Sequence, residues 1–365
     1  MSTFKIRSLF TVIFTASTLM ITPLQNCFAE PNVSSPAYVL MEKETGQVLI
    51  GLEENIQREP ASTTKVLTAL LGLELGSEGE VVVVSDNAAR VGEASLHLWP
   101  EEEIELHNLI LATLMKSGND GCVAIAEHVA GEETLFVKLM NLKALLLGAK
   151  NSDFQNTNGL PDKKHLTTPS DLAVIARYAL NNSEFQEMVK SKEEVVVSES
   201  PKRKRELKNT NKLLWNYEKA DGVKTGTTNR AGKCLIASAS EGDRQLIAVV
   251  LKSHDRYGDS KRLLEYGLNN FELHQFYHKG EVIGNSRGEE GSIPLVVKED
   301  LLLSIPKDRM GEVNVTIDYP RKITKPVKKG SVVGKVSVQL PNYSKEVEIV
   351  TGIDVLEKKG SWWPF

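Results

Sequence analysis

Ser62 and Lys65 are the first residues of this 365-residue chain whose types and spacing could do chemistry. Side chains three positions apart share one face of a helix, so a helix here would place the lysine one turn above the serine. A hydroxyl is a poor nucleophile until a base removes its proton, and a lysine can be that base only when burial or a neighbouring cation lowers its pKa. Taken alone, the pair is better explained by a polar helix start with a solvated lysine.

Two further motifs favour the chemical interpretation. Ser117-Gly118-Asn119 lies between two helical patterns, where a tight glycine turn can aim both polar side chains into a cleft. Lys224-Thr225-Gly226 precedes a predicted strand, and its lysine can lower the pKa of a neighbouring lysine or bind a substrate carboxylate. Its glycine leaves room for substrate beside the strand. Together the three motifs predict a site for acyl transfer to a serine.

The elements that must position these motifs follow from hydrophobic patterns and turn residues. Strands are predicted at residues 38–41, 47–50, 81–84, 233–239 and 245–251. Helices are predicted after Pro60 and at residues 104–115, 123–129, 135–147, 169–180 and 260–268. Because strands lie at both ends of this region with helices between them, we predict an α/β (α+β) architecture in which helices cover an antiparallel sheet.

Beyond about Phe271 the pattern changes to short alternating segments separated by glycine, proline and lysine. These segments lie at residues 282–283, 294–297, 313–317, 332–338 and 347–350. They predict a second, small all-β domain of the β-sandwich type. We therefore expect a catalytic domain at residues 30–271, the β-sandwich at 272–352 and a C-terminal tail at 353–365.

The first 29 residues differ from the rest of the chain. Lys5 and Arg7 precede an apolar run at residues 9–21, and Cys27 and Ala29 occupy the positions that a signal peptidase reads. The run is shorter than the roughly 20 residues of a membrane span. We predict a signal peptide at residues 1–29, and a location in the periplasm or on the outer face of the cytoplasmic membrane.

The charge balance bears on the class of partner. Without residues 1–29 the chain has 42 basic and 48 acidic residues, a net charge of −6. This mild negative charge argues against nucleic acid as a partner. The basic run Lys202-Arg203-Lys204-Arg205 is similar to a nuclear-localisation patch, but in an exported chain we expect it to be a solvated loop.

Cysteines and histidines give no support for a metal site or a cofactor. Cys27 falls within the predicted signal, and Cys122 and Cys234 both lie in apolar surroundings. We expect these two to be buried free thiols rather than a disulfide. No cysteine or histidine cluster has the spacing of a zinc site, so we predict neither a metal nor another cofactor.

The three motifs resemble the penicillin-recognising serine enzymes, whose signature is S-x-x-K, S-D-N and K-T-G. The Ser-Gly-Asn form is similar to the low-molecular-mass penicillin-binding D-alanyl-D-alanine carboxypeptidases of the peptidase S11 type. The blocks that carry the resemblance are residues 61–65, 116–120, 158–161, 211–215 and 221–227. With the downstream β region it runs from about residue 31 to residue 352. It implies a β-lactamase/transpeptidase-like catalytic domain.

The resemblance also implies a role for each catalytic residue. Ser62 would attack the carbonyl between the two terminal D-alanines of a peptidoglycan stem peptide, releasing D-alanine and leaving an acyl-enzyme. Lys65 would be the general base. Ser117 would relay a proton to the leaving amine, and Asn119 would hold Lys65 and the substrate amide. β-Lactam antibiotics would acylate the same serine.

Substrate binding is implied in the same way. Lys224 and Thr225 would bind the terminal carboxylate, beside the space left by Gly226. The backbone N–H groups of Ser62 and Thr227 would form the oxyanion hole. Arg256 matches a family arginine that also contacts the carboxylate, although an ordinary surface arginine explains it about as well.

Three other activities use related residues. A class A β-lactamase would need a glutamate loop for fast deacylation, and no Glu-x-x-Leu-Asn-like element lies between Ser117 and Lys224. A non-catalytic penicillin sensor would need a membrane span after the signal, and no such apolar stretch follows. A D,D-endopeptidase that cuts peptidoglycan cross-links would use the same residues, so it stays open as an alternative.

The C-terminal tail allows a peripheral membrane contact. Its last residues include two tryptophans and a phenylalanine, which suit a membrane interface, and two lysines that could meet anionic lipid. Gly360 and Pro364 interrupt any helix there. Weak anchoring and a simple exposed tail are both compatible with this sequence.

Overall fold

The structure is a computed structural model that describes residues 30–289, 291–324, 326–341 and 343–355. The predicted signal peptide and most of the predicted C-terminal tail lie outside the described residues. Among the helices described, none is both long enough and apolar enough to cross a membrane.

A five-stranded antiparallel sheet forms the centre of the first 270 residues, in the order β2-β1-β9-β8-β7. Two short ribbons, β3–β4 and β5–β6, lie outside it. The strands are β1 (Ala37–Glu42), β2 (Val48–Leu52), β3 (Val81–Val83), β4 (Glu103–Glu105), β5 (Glu193–Val197), β6 (Lys204–Lys208), β7 (Ala220–Thr228), β8 (Gly232–Glu241) and β9 (Arg244–Ser253). Strand β7 is an edge of the sheet, so one side of its backbone is open to the site described below.

Helices cover both faces of this sheet. They are α1 (Lys65–Leu75), α2 (Asp86–Ala89), α3 (Leu106–Lys116), α4 (Asn119–Ala130), α5 (Glu133–Leu147), α6 (Pro169–Ala179), α7 (Ser183–Lys190), α8 (Leu213–Asn216) and α9 (Arg256–Asn270). Successive side chains of a strand point to opposite faces. Accordingly Val39 belongs to the core beneath α1, α3, α4 and α6, whereas Leu40 packs with Leu264 of α9 in a second core. The predicted helix-covered antiparallel sheet is confirmed.

Two details of the predicted elements were wrong. The helix predicted from Ile104 begins at Leu106, because Ile104 pairs with Val82 in the β3–β4 ribbon. The Lys224–Gly226 motif does not merely precede a strand but lies within β7, which pairs with the predicted strand. In contrast, the helix start at Pro169 is confirmed, with Thr168 capping it through a bond from Asp171 N.

The chain after α9 forms only strands and one short 3-10 turn among its described residues. A five-stranded sheet, in the order β11-β12-β16-β15-β14, packs on the β10–β13 pair around one apolar core. The strands are β10 (Phe271–Tyr277), β11 (Val282–Arg287), β12 (Ser292–Val297), β13 (Leu301–Pro306), β14 (Asn314–Asp318), β15 (Val332–Leu340) and β16 (Tyr343–Thr351). The predicted all-β domain is confirmed, although β10 and β13 were not anticipated.

Buried polar groups join this β domain to the central sheet. Gln47 and Ser304 exchange two hydrogen bonds, both 2.9 Å long. Glu42 accepts hydrogen bonds from Arg244 Nε and from the Ser304 hydroxyl, each at 2.7 Å. Removing one of these groups would leave a buried polar or charged partner without its hydrogen bond. The network therefore holds β13 firmly against β1.

The two described cysteines are buried and unbonded, as predicted. Burial raises the pKa of Cys122 to about 12 and that of Cys234 to about 11. Because only a thiolate is reactive, both behave as small apolar side chains.

Candidate active site

Ser62 lies on a 3-10 turn, Ala61–Thr64, that leads directly into α1. Ala61 has a left-handed backbone (φ +50°), a conformation that non-glycine residues rarely adopt and that often marks a functional site. Lys65 is the first residue of α1, and its Nζ lies 3.0 Å from Ser62 Oγ. The predicted face-sharing of the two side chains is therefore present, on a tighter turn than an α-helix.

Lys65 is completely buried and held by three groups. Besides approaching Ser62, its Nζ donates to Asn119 Oδ1 and to the Asn158 carbonyl, both at 2.7 Å. Burial lowers the pKa of Lys65 despite the opposing charge of Asp120. Burial is thus the largest cause, whereas the sequence had suggested the charge of the second lysine.

The Ser117–Asn119 motif is the connection between α3 and α4. Ser117 ends α3 with a left-handed backbone (φ 64°), and Asn119 begins α4. The Asn119 side chain donates to Gly92 O at 3.1 Å while its oxygen accepts from Lys65. Among the described residues the Ser117 hydroxyl has no hydrogen-bond partner, so it is available to a bound molecule.

Strand β7 carries the third motif directly past the nucleophile. A Cβ on Gly226 would lie 2.9 Å from Ser62 N, 3.0 Å from Pro60 O and 3.0 Å from Thr63 N. These distances are shorter than a side-chain carbon tolerates. Glycine is therefore required here because the strand and the 3-10 turn touch, and not only to leave room for substrate.

Lys224 is the second buried lysine of the site. Its Nζ donates to Thr225 O at 3.1 Å. Burial, followed by the positive charge of Lys65, lowers the pKa of Lys224 well below the ordinary lysine value. Two buried amines that disfavour each other's protonation suit a site that must accept and return a proton near neutral pH.

Arg256 begins α9 and points at β7. Its Nη1 donates to Gly226 O at 2.9 Å and to the Thr227 hydroxyl at 2.7 Å. The guanidinium therefore lies beside the Lys224–Gly226 motif rather than on a distant surface. This position favours the carboxylate-binding interpretation over an ordinary surface arginine.

Thr210 is a residue of the site that the sequence did not reveal. Its hydroxyl lies 3.0 Å from the Thr225 hydroxyl, and its carbonyl accepts from Tyr257 at 3.1 Å. Tyr257 in turn accepts from Arg256 at 3.3 Å. Thr210 thus adds a second hydroxyl next to Thr225 and links it to the arginine. The block at residues 211–215 flanks it, but nothing in its type distinguished it.

His165 was also missed, and it supports the nucleophile from behind. Its Nδ1 accepts from Gln155 N at 3.0 Å, so its Nε2 carries the proton and donates to the Thr64 hydroxyl at 2.9 Å. Thr64 donates to Ala61 O at 2.9 Å. A neutral histidine therefore braces the turn that holds Ser62.

We expect His165 to make stability depend on pH. Burial lowers its pKa from 6.5 to about 4, so between these values the unfolded chain binds a proton that the folded chain excludes. Stability is complete above pH 6.5 and falls as the pH drops toward 4. Between pH 7 and pH 5 the loss from this one group is about 2 kcal/mol.

Urea unfolding of wild type and His165→Gln at both pH values measures this loss. The variant should lose about 2 kcal/mol less between pH 7 and pH 5 than wild type does. His254→Gln, at an exposed histidine, should keep the wild-type difference. Equal pH dependence in wild type and His165→Gln would show that His165 is not the group responsible.

Gly159 lets a second segment close over the same turn. It has a left-handed backbone (φ +86°), and a Cβ there would lie 1.9 Å from Ala61 O. Only glycine allows this contact. The preceding residue, Asn158, consequently presents its carbonyl to Lys65.

Two family models match the chain. A peptidase S11 model described as "D-alanyl-D-alanine carboxypeptidase" matches residues 25–255, which is more than half of the chain. A model described as "Penicillin-binding protein 5, C-terminal domain" matches residues 271–357.

Relatives and solved structures agree with these matches. The chain is 32% identical to D-alanyl-D-alanine carboxypeptidase DacF of Bacillus subtilis over 90% of each protein. It is 30% identical to DacC of Escherichia coli, over 92% of this chain and 88% of that protein. Penicillin-binding protein 5 of Haemophilus influenzae is similar in structure, with a TM-score of 0.82, 28% identity and coverage of 90% of this chain and 99% of that chain. The Streptomyces K15 DD-transpeptidase, at a TM-score of 0.63 and 28% identity, covers 66% of this chain and 99% of its own.

Proposed function

The chain belongs to the D-alanyl-D-alanine carboxypeptidase family, peptidase S11, and is a serine hydrolase; from this premise we propose that Ser62 is its nucleophile and Lys65 its general base. The observation that carries the proposal is the 3.0 Å approach of Lys65 Nζ to the half-exposed Ser62 hydroxyl. The substrate we propose is a peptidoglycan stem peptide ending in D-Ala-D-Ala. β-Lactams would acylate the same hydroxyl.

The contacts of Lys65 explain how it can act as a base. A neutral amine has two N–H donors and one lone pair. Asn119 Oδ1 and the Asn158 carbonyl can only accept, so they take the two N–H groups. The lone pair is then left for the proton of Ser62, and the serine oxygen attacks the carbonyl carbon as that proton moves to Lys65.

The departing D-alanine must regain a proton. We propose that this proton comes from Lys65 by way of the Ser117 hydroxyl. The nearby amine of Lys224 favours the transfer, because two buried amines side by side disfavour holding the proton on Lys65. A water molecule then attacks the acyl-enzyme while Lys65 takes its proton, and Lys65 returns that proton to the Ser62 oxygen as the ester bond breaks. Ser117 suits the relay because its hydroxyl makes no competing hydrogen bond to the described residues.

We propose that β7 and its neighbours bind the substrate's terminal carboxylate. Arg256 supplies positive charge, Lys224 supplies N–H donors and Thr225 supplies a hydroxyl donor. Thr210 adds a second hydroxyl beside Thr225. The backbone N–H groups of Ser62 and Thr227 would stabilise the oxyanion. Losing one such donor typically costs about 3–4 kcal/mol of transition-state stabilisation.

Turnover of three substrates tests this function. We expect release of D-alanine from a pentapeptide and little cleavage of a cross-linked dimer. The penicillin adduct should persist for much longer than one turnover of the pentapeptide. Faster cleavage of the dimer than of the pentapeptide would instead identify an endopeptidase. Rapid hydrolysis of penicillin would identify a β-lactamase, and no turnover with stoichiometric labelling would identify a sensor.

We propose that the protein works outside the cytoplasm. The sequence supports a signal peptide at residues 1–29, a catalytic domain at 30–271 and a β-sandwich at 272–352. The periplasm or the outer face of the cytoplasmic membrane, where the stem peptides are, is the location we propose. The aromatic residues of the tail at 353–365 support a weak membrane contact. The net negative charge of the chain without residues 1–29 disfavours nucleic acid as a partner.

A further inference from the structure

The basic run at residues 202–205 is not the solvated loop that its composition predicts. Arg203 and Arg205 instead face the segment of residues 91–102, which we call the cover loop. The Arg205 side chain is only 11% exposed, whereas that of Lys204 is 60% exposed. The run therefore contains two arginines with a buried partner and two exposed lysines.

Glu102, at the end of the cover loop, is the main partner of Arg205. Its fully buried carboxylate accepts from Arg205 Nη1 at 2.5 Å and from Nη2 at 2.8 Å. It also lies 3.4 Å from Arg203 Nη1 and accepts from Trp99 N at 3.0 Å. A two-pronged pairing of this kind fixes both position and orientation.

The arginines also hold the middle of the cover loop by its backbone. Arg205 Nε donates to Leu96 O at 3.0 Å, and Arg203 Nη1 donates to His97 O at 3.1 Å. The Arg203 guanidinium stacks on Trp99, 3.8 Å from the ring centre. The two arginines thus contact the loop at four residues, Leu96, His97, Trp99 and Glu102.

The cover loop needs such restraint because its backbone is unfavourable. Glu93, His97 and Glu101 all have left-handed backbones, with φ values of 64°, 56° and 59°. Non-glycine residues are unfavourable in this backbone region and persist only where surrounding contacts impose it. Three of them within nine residues indicate a loop that would relax if its contacts were removed.

The other side of the cover loop contacts the catalytic motif. Asn119 donates its backbone N–H to Ala94 O at 2.7 Å and its side-chain N–H to Gly92 O at 3.1 Å. Asp120, also buried, accepts from the N–H groups of Leu96 and Leu98. The position of the Asn119 amide, and hence of its bond to Lys65, depends on where this loop lies.

We propose that Arg203 and Arg205 form a clamp that holds the cover loop against Asn119 and so positions Lys65 for proton transfer. They are positioning residues, since neither touches the reacting atoms. The inference rests on the proposed role of Lys65 as the base. The carboxylate-binding residues on β7 and α9 receive no hydrogen bond from the loop, so loosening it should impair the chemical step more than substrate binding.

Steady-state kinetics of Arg205→Gln test the clamp, with active sites counted by penicillin titration. We expect kcat per active site to fall about ten- to a hundredfold while KM stays within about twofold, as for a small misplacement of catalytic groups. Arg203→Gln should show a smaller fall. Lys204→Gln, at the exposed lysine between them, is the matched control and should keep the wild-type kcat.

Two measurements keep the test decisive if Arg205→Gln folds poorly. Arg205→Gln/Glu102→Gln removes both charges of the pair and should fold while keeping the lowered kcat. Hydrogen exchange should quicken in peptides of the cover loop and stay unchanged in α9. A wild-type kcat in Arg205→Gln and in the double variant would overturn the clamp, even if Lys65→Met is inactive. An active Lys65→Met would instead refute the role of Lys65 as the base.

Discussion

Lys65→Met is expected to lower the rate of penicillin acylation and of D-alanine release by about a thousandfold, the usual contribution of a general base. Methionine has nearly the length of lysine and suits a fully buried position, but it cannot accept the proton of Ser62. Stopped-flow labelling with a fluorescent penicillin measures the first rate. An assay of free D-alanine from a pentapeptide measures the second.

The control is Lys116→Met, the same change at an exposed lysine next to the Ser117–Asn119 motif, which should leave both rates unchanged. In wild type the acylation rate should rise with pH and level off below 10.5, because burial lowers the pKa of Lys65 and the neutral amine is the active form. Acylation of Lys65→Met within tenfold of wild type would mean that another group removes the proton.

Gly226→Ala is expected to reduce D-alanine release by about a hundredfold. The added methyl would lie 2.9–3.0 Å from three backbone atoms of the turn that carries Ser62, and backbone cannot swing aside as a side chain can. Either β7 or the turn must move, which separates the nucleophile on the turn from the proposed oxyanion donor Thr227 N–H on β7. Such overpacking should also lower the unfolding free energy by about 1–3 kcal/mol.

Gly311→Ala is the matched control, since no atom lies within 4 Å of a Cβ at that position. It should unfold and react as wild type does. Urea unfolding and the pentapeptide assay, run on both variants, separate a general effect of the substitution from the contact at β7. A fully active Gly226→Ala would show that the strand and the turn are not as closely packed as the structure places them.

Much of the site could be predicted because it is local or carried by short motifs. The three-residue spacing of Ser62 and Lys65 sets their approach within one turn, whatever the rest of the chain does. Asn119 and Lys224 lie far from them in sequence, and only the resemblance to a known family placed them together. The helix-covered sheet followed from the order of the hydrophobic patterns.

What could not be predicted depends on contacts between distant segments. Strand β7 lacks an alternating hydrophobic pattern because its buried positions include the polar residues Lys224 and Thr225, so only its pairing with β8 identifies it. His165 supports Thr64 from 101 positions away, and nothing in its neighbourhood marks it. The arginines at 203 and 205 looked solvated because their buried partner, Glu102, lies a hundred residues earlier.

The cause of the lowered pKa of Lys65 also required the structure. The sequence shows that a second lysine exists, and a cation nearby is one way to favour a neutral amine. It does not show that α1 begins beneath the sheet and the Asn158–Gly159 segment, which remove Lys65 from water. Burial proves to be the largest cause of the lowered pKa at both Lys65 and Lys224.

Mapping the penicillin adduct tests the central claim about Ser62 most directly. After brief incubation with benzylpenicillin, trypsin cleavage behind Arg58 and Lys65 yields a seven-residue peptide that contains Ser62. We predict that this peptide gains the mass of one penicillin, that its fragment ions place the gain on Ser62, and that Ser62→Ala shows neither adduct nor D-alanine release. An adduct on another residue, or D-alanine release by Ser62→Ala, would contradict the account.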